Sequence, residues 1–237
     1  YLTYTDGELA KPAEKNTEGA IEQANAWWDD SVTYQYGYGL SYTSFSFNVK
    51  GLYTDKDCTT ELGENVAADQ FNSSVGNEAK VKKLYVPVEV KNTGNYTGKK
   101  TVQVYVTAPY IRSEGSVEKS AVVLVGFAKT DELKPGETQT VTVEFNVQDM
   151  ASWDSNADNG DGTKGHYILD AGEYIVRAME DSHYDYATEV EATDDAYDEA
   201  RFELTGKADL KIDDFSGNAV KDLFTTGEND VTSGADV

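Results

Sequence analysis

Apolar residues recur at every second position in several short stretches of this sequence. The clearest runs cover residues 84–90, 102–106 and 141–147, where valine, leucine and phenylalanine alternate with mostly polar side chains. A period of two places all the apolar residues of a run on one face of an extended strand. These runs therefore predict β-strands with one buried face.

Turn-forming residues separate the runs and limit how the strands can connect. Asn92-Thr93-Gly94-Asn95 and Pro135-Gly136 are typical of tight turns. About seven short strands with such turns between them, and no long helical pattern, favour an antiparallel sandwich of the immunoglobulin or fibronectin type. The fold class expected is all-β, with irregular N-terminal and C-terminal extensions around a sandwich at residues 36–186. Pro87, inside the first run, indicates either an edge strand or a bulge.

Charge and cysteine content exclude several classes of function. The 237 residues include 43 acidic and 20 basic side chains, for a formal net charge of −23. Nucleic acids and anionic membranes bind basic patches, so neither is an expected partner. A single cysteine, Cys58, cannot form an internal disulfide. The sequence also has no apolar run long enough to span a membrane.

Tryptophans offer the best candidates for carbohydrate contact. Trp27 and Trp28 stand side by side in the N-terminal region, and Trp153 precedes an acidic stretch. Aromatic faces can stack on sugar rings, but the same residues can also anchor a segment by burial. Both readings of the three tryptophans are therefore open.

An acidic, glycine-rich stretch at residues 154–162 resembles a calcium-binding loop. Oxygen ligands could come from Asp154, Asn156, Asp158 and Asp161. Compared with the EF-hand pattern, Asn159 stands where glycine makes the sharp turn, and Gly165 stands where glutamate binds with both oxygens. The stretch therefore predicts either a calcium site or an acidic hairpin loop. No other metal or cofactor is expected.

The C-terminal region, residues 187–237, is rich in acidic residues and is expected to be a solvated connector or extension. Within it, Phe202 and Leu204, and then Leu210 and Ile212, indicate short strands or extended packing.

A longer motif connects the sequence to a known family. Residues 36–43 read YGYGLSYT, which resembles the signature at the junction between the catalytic α/β-sandwich domain and the fibronectin type III-like domain of glycoside hydrolase family 3. Tyr36 stands where that family usually has phenylalanine, and Gln35 where it usually has proline. Matching segments follow in the family's order, at residues 88–94, 102–106, 124–127, 133–137 and 171–174.

The resemblance implies an arrangement of domains. Residues 1–35 would be the tail of the preceding α/β-sandwich domain or a linker, and residues 36–186 the fibronectin type III-like domain. Residues 187–237 would connect to a barrel domain, as in family members with inverted domain order; the alternative is an appended surface segment.

The resemblance also bears on chemistry. The family's nucleophile is an aspartate in a serine–aspartate–tryptophan motif of the barrel, and this sequence has no such tripeptide. The resemblance implies that the acid/base glutamate would lie in the α/β-sandwich domain upstream of residue 1, so no catalytic residue is assigned to this chain.

The function expected is that of a non-catalytic, scaffolding accessory domain in a retaining β-glucosidase or β-xylosidase. Its partners would be the catalytic domains of the same protein, with an oligosaccharide or polysaccharide as a further candidate. The alternative is a carbohydrate-binding or cell-surface adhesion module.

Overall fold

The structure is a computed structural model, and it describes residues 32–110, 117–182 and 197–222. Eleven strands lie in these ranges. They are β1 (Phe45–Val49), β2 (Asn65–Val66), β3 (Lys83–Asn92), β4 (Thr101–Thr107), β5 (Val123–Lys129), β6 (Thr138–Asn146), β7 (Ser152–Asp158), β8 (Lys164–Leu169), β9 (Gly172–Met179), β10 (Tyr197–Leu204) and β11 (Ala208–Leu210). Two 3₁₀ turns, Ala68–Gln70 and Val147–Met150, are the only helical elements among the described residues.

The strands form three sheets. The first has the order β1-β3-β6 and the second the order β2-β10-β9-β4-β5, while a smaller sheet has the order β11-β8-β7. Nearly all pairs are antiparallel, with a parallel pair between β2 and β10. The predicted all-β sandwich is confirmed.

One hydrophobic core joins the sheets. Val86, Val88 and Val90 of β3 and Val102 and Val104 of β4 are all fully buried in it. These are the alternating positions that the sequence predicts to face inward. The residues between these positions point to the opposite face of each strand, away from the core.

Pro87 lies in β3, the central strand of its sheet, and not at an edge. Val49 pairs with Val88, and the next bridge joins Tyr53 to Tyr85. The first strand therefore advances four residues while β3 advances three. This extra residue is a bulge, the other alternative that the proline raises. Because Pro87 lies beside the bulge, its missing amide donor interrupts no regular ladder bond.

The sheets continue beyond residue 186, where the sequence analysis places the end of the sandwich. Strand β10 lies between β2 and β9, and Phe202 and Leu204 are buried in the common core. Ala208 and Leu210 of β11 are buried there as well. Part of the acidic C-terminal region is therefore an integral element of the sandwich, since its apolar residues alternate with charged ones that face solvent.

Candidate docking surface

Residues 34–42, called the aromatic segment below, cross the outer face of strand β4. Gly37 bends there with a φ of +84°, a conformation that side-chain-bearing residues rarely adopt. A Cβ atom added at Gly37 would lie 2.2 Å from Oε1 of Gln103. Glycine is therefore favoured at this point by the positive φ, and a side chain here would also displace the amide of Gln103.

Gln103 of β4 fastens the segment to the sheet. Its Nε2 donates to the carbonyl of Gly37 at 2.9 Å and to the carbonyl of Glu180 at 2.6 Å. Its Oε1 accepts from the hydroxyl of Tyr105 at 2.8 Å. One amide side chain thus links the segment, the end of β9 and a second β4 side chain.

Tyr105 completes this arrangement as a hydrogen-bond donor. The residue is only 1% exposed. Burial first, and then the nearby Asp181 and Tyr36, raise the pKa of Tyr105 to about 12. The hydroxyl therefore keeps its proton, and with it the bond to Gln103, at neutral pH.

A second attachment holds the end of the motif, where the chain enters β1. Asn92 is fully buried, and its Oδ1 accepts from the hydroxyl of Thr43 at 2.8 Å. Its Nδ2 donates to the carbonyls of Tyr96 and Leu133, at 2.7 and 2.8 Å. A Cβ atom at Gly94 would lie 2.2 Å from Oγ1 of Thr43, so the loop after β3 can pack here only with glycine. Hydrogen bonds therefore fix the chain at Gly37, within the aromatic segment, and at Thr43, just after it.

The side chains of this fixed backbone point into solvent. Leu40 is 88% exposed and Tyr42 is 97% exposed, and Tyr34 and Tyr36 are also mostly exposed. Phe127, on the edge strand β5, is 70% exposed and stands opposite Gln103 in the β4–β5 pairing. Large apolar groups that are exposed together on a rigid support are typical of an interface.

A cavity of about 570 Å³ lies between the aromatic segment and strands β4 and β5. Tyr36, Leu40, Leu124 and Phe127 supply apolar walls, and lysines supply the charges. This volume is within the range of known binding clefts. The segment and the cavity together form the candidate docking surface.

The predicted calcium loop belongs to the β7–β8 hairpin: Asp154, Asn156 and Asp158 lie in strand β7, and Asp161 lies in the connection to β8. The three aspartates accept local hydrogen bonds. Asp154 Oδ1 accepts from the amide of Asn156 at 2.9 Å. Asp158 Oδ1 accepts from a backbone amide at 2.7 Å. The hydroxyl and amide of Thr163 both donate to Asp161, which lowers the pKa of that carboxyl.

Among residues 32–110, 117–182 and 197–222 there is no group of three or more histidine, cysteine or acidic side chains that could hold a metal ion. Calcium binding by the hairpin stays a prediction, which a calorimetric titration with millimolar calcium tests.

A buried histidine attaches this hairpin to the C-terminal strands. His166 of β8 is 2% exposed, with Nδ1 2.8 Å from Oδ1 of Asn159 and Nε2 3.1 Å from Oδ1 of Asp209. Lys207 also approaches Asp154, at 3.5 Å. The polar residues of the hairpin thus hold β11 in place.

Of the three tryptophans proposed for carbohydrate contact, the structure describes only Trp153. Trp153 is partly buried, and its ring meets Tyr167 edge-on with the centroids 5.1 Å apart. Its ring also occupies the space where a Cβ atom of Gly165 would lie. Trp27 and Trp28 lie outside the described residues. A role of the three in carbohydrate contact stays a prediction.

The YGYGLSYT motif lies immediately before strand β1, but the sequence alone does not identify the residues that it contacts. Gln103 carries the only available signal, as the one amide among the valines of its strand. Phe127 and Lys129 carry none, because strand pairing alone brings them near the motif.

In the described part of the chain, no helix is long and apolar enough to cross a membrane.

Comparison with known proteins places the fold in a family context. Residues 100–182 match the family model of the fibronectin type III-like domain. The chain is 39% identical over 145 residues to β-glucosidase A of Butyrivibrio fibrisolvens, covering 61% of this chain and 15% of that protein. It is 34% identical over 152 residues to a β-glucosidase of Ruminococcus albus, covering 64% of this chain and 13% of that one.

A solved structure agrees with these matches. The β-glucosidase of Paenibacillus barengoltzii aligns with a TM-score of 0.51 and 29% identity, over 78% of this chain and 17% of that protein. This chain therefore spans less than a fifth of the length of each of these relatives.

Proposed function

We propose that this chain carries the fibronectin type III-like domain of a glycoside hydrolase family 3 β-glucosidase. In this proposal the chain is a non-catalytic, scaffolding part of a β-glycosidase. The domain buries the docking surface against a catalytic domain of the same protein and holds that domain in position. The complete protein hydrolyses β-linked glucosides or xylosides with retention, using a carboxylate nucleophile and a carboxyl acid/base on other domains.

The observation that carries this proposal is the contrast between a fixed backbone and exposed side chains in the aromatic segment. Gln103 holds the segment at Gly37, and Asn92 holds the chain at Thr43 just after the segment, yet Leu40 and Tyr42 lie almost entirely in solvent. Full burial of one large apolar side chain contributes roughly 1.5–3 kcal/mol of favourable free energy. A surface built in this way gains stability when a second domain covers it.

For the domain limits, we place residues 1–35 with the preceding α/β-sandwich domain or its linker. The sandwich then begins at residue 36 and includes β10 and β11, so that a connector would begin after Leu210. The buried side chains of Phe202 and Leu204 support this later limit.

Hydroxyl-radical footprinting tests the docking. The 237-residue chain is compared with the protein translated from the complete reading frame, and the oxidation rates of Leu40 and Tyr42 are measured. Both rates should fall in the longer protein, while those of the exposed control residues Val75 and Phe215 stay unchanged. Equal oxidation of Leu40 and Tyr42 in the two proteins would contradict the proposal.

A further inference from the structure

The docking surface differs in charge from the rest of the molecule. The sequence has 43 acidic and 20 basic side chains, yet every charged residue that lines the cavity is a lysine. These residues are Lys99, Lys100 and Lys129. A cationic cavity in so acidic a chain is a specific feature of this surface.

The three lysines differ in their anionic partners within the described residues. Lys100 pairs with Glu180 at 2.6 Å, and its ammonium group lies 5.7 Å from the ring centroid of Phe47. Lys99 and Lys129, in contrast, are exposed and form no ion pair with any residue of the described ranges. No carboxylate of these ranges therefore neutralises their charges.

Strand pairing places these two charges at one end of the β4–β5 pair. Lys129 stands opposite Thr101 in the β4–β5 pairing, and Lys99 precedes Thr101 by two residues. Phe127 stands opposite Gln103, which bonds Gly37 of the aromatic segment. The other end of the segment approaches the lysines, because a Cβ atom added at Gly98 would lie 3.9 Å from Oγ of Ser41. The charges therefore lie at one end of the β4–β5 pair, beside the exposed apolar groups.

Covering this surface would take Lys99 and Lys129 out of water, which is unfavourable unless opposite charges face them. The exposed aliphatic side chain of Leu40 suits an apolar protein contact, since sugars stack on aromatic faces and not on leucine. Charges at one end also orient a partner more than they strengthen its binding.

We propose that the docking surface recognises a protein face with an apolar centre and carboxylates at one side, placed opposite Lys99 and Lys129. This inference rests on the proposed function, in which that face belongs to a catalytic domain of the same protein. The lysines set the orientation of the two domains, and the aromatic segment supplies the buried area.

The test reverses the two charges in the protein translated from the complete reading frame. The double variant Lys99→Glu/Lys129→Glu is compared with Lys56→Glu/Lys164→Glu, which changes the net charge equally at exposed lysines that do not line the cavity. The oxidation rates of Leu40 and Tyr42 report the docked fraction. Reversal should lower the ratio of docked to undocked molecules about tenfold, and the control pair should leave it unchanged. Added salt should weaken docking in the unaltered protein in the same direction.

Each outcome decides between the two proposals. If the unaltered protein protects Leu40 and Tyr42 and charge reversal removes that protection, both proposals hold. If protection persists in the Lys99→Glu/Lys129→Glu variant and is independent of salt, the carboxylate partner is wrong, although the docking stands. If the unaltered protein gives no protection, the proposed function fails, and this inference fails with it.

Discussion

Gly37 and Gly39 lie two residues apart in the aromatic segment but have different surroundings. Gly37 has a positive φ and approaches Gln103, whereas a Cβ atom at Gly39 would meet nothing within 4 Å. Alanine at Gly37 should therefore cost about 2 kcal/mol of unfolding free energy, because the turn is strained and the segment must move away. Gly39→Ala is the matched control and should stay within about 0.5 kcal/mol.

Denaturant unfolding measures both glycine variants, and hydrogen exchange locates the change. The amide of Ser182 donates to the carbonyl of Tyr36 at 2.8 Å, so it should exchange faster in Gly37→Ala. Equal stability and equal exchange in the two variants would show that Gly37 does not set the path of the segment.

The raised pKa of Tyr105 predicts that the folded state loses stability at alkaline pH. An unfolded tyrosine loses its proton near its ordinary pKa of 10.0, but in the folded chain the pKa of Tyr105 is raised to about 12. Between these values the unfolded state releases a proton that the folded state retains, so stability falls as the pH rises. Tyr105→Phe should make this fall shallower. Unfolding measured across this pH range checks the slope, and an unchanged slope would contradict the assignment.

Burial also raises the pKa of Tyr174, well above its usual range. Tyr174 remains in both proteins, so the difference between them isolates the contribution of Tyr105.

Residues that build the docking surface are far apart in the sequence, which explains why they were not predicted. The motif at residues 36–43 could be recognised, and its glycines indicate an unusual turn. The cavity, however, needs Tyr36, Gln103 and Lys129 to meet, and that depends on how β4 pairs with β5. Nothing in a local pattern reports such pairing. The acidic run at residues 154–162 is ambiguous in the sequence, because its oxygen atoms suit both calcium and hydrogen bonds to nearby backbone amides.

Among the strands, β3, β4 and β6 could be predicted because apolar residues that face the core alternate with mostly polar residues. Strand β10 follows the same rule, with Ala200, Phe202 and Leu204 alternating with charged residues. Phe202 and Leu204 indicated a short strand or extended packing, whereas the acidic composition around them favoured a solvated connector. The pairing with β9, which makes this strand part of the sandwich, is not reported by any local pattern.

Phe202 tests whether β10 belongs to the sandwich. Its ring is 2% exposed and stacks on Tyr174 with the centroids 5.0 Å apart, while Phe71 meets it edge-on. Phe202→Ala should cost about 3–5 kcal/mol of unfolding free energy, because it leaves a cavity in the core. Phe215→Ala, at a fully exposed position, is the control and should stay within about 0.5 kcal/mol.

Chemical denaturation monitored by circular dichroism measures both phenylalanine variants. A loss below about 1 kcal/mol for Phe202→Ala would mean that β10 is only loosely attached and that the sandwich ends before it.

At the scale of the whole molecule, the docking surface combines exposed apolar side chains with lysines in a chain whose formal net charge is −23. An acidic excess of this size disfavours anionic partners elsewhere on the chain. We therefore propose that this surface makes the contact with other domains and that the hydrolytic chemistry belongs to residues outside this chain.

Hydrolysis assays test this division of roles most directly. The pure 237-residue chain, at high concentration, and the protein translated from the complete reading frame are each given aryl β-glucoside and aryl β-xyloside. The prediction is that the complete protein hydrolyses at least one of the two substrates and that the chain alone hydrolyses neither. Turnover that follows the chain through purification would contradict it, because a carboxylate pair within these residues would then be catalytic. Failure of the complete protein to hydrolyse either substrate would contradict the proposed β-glycosidase.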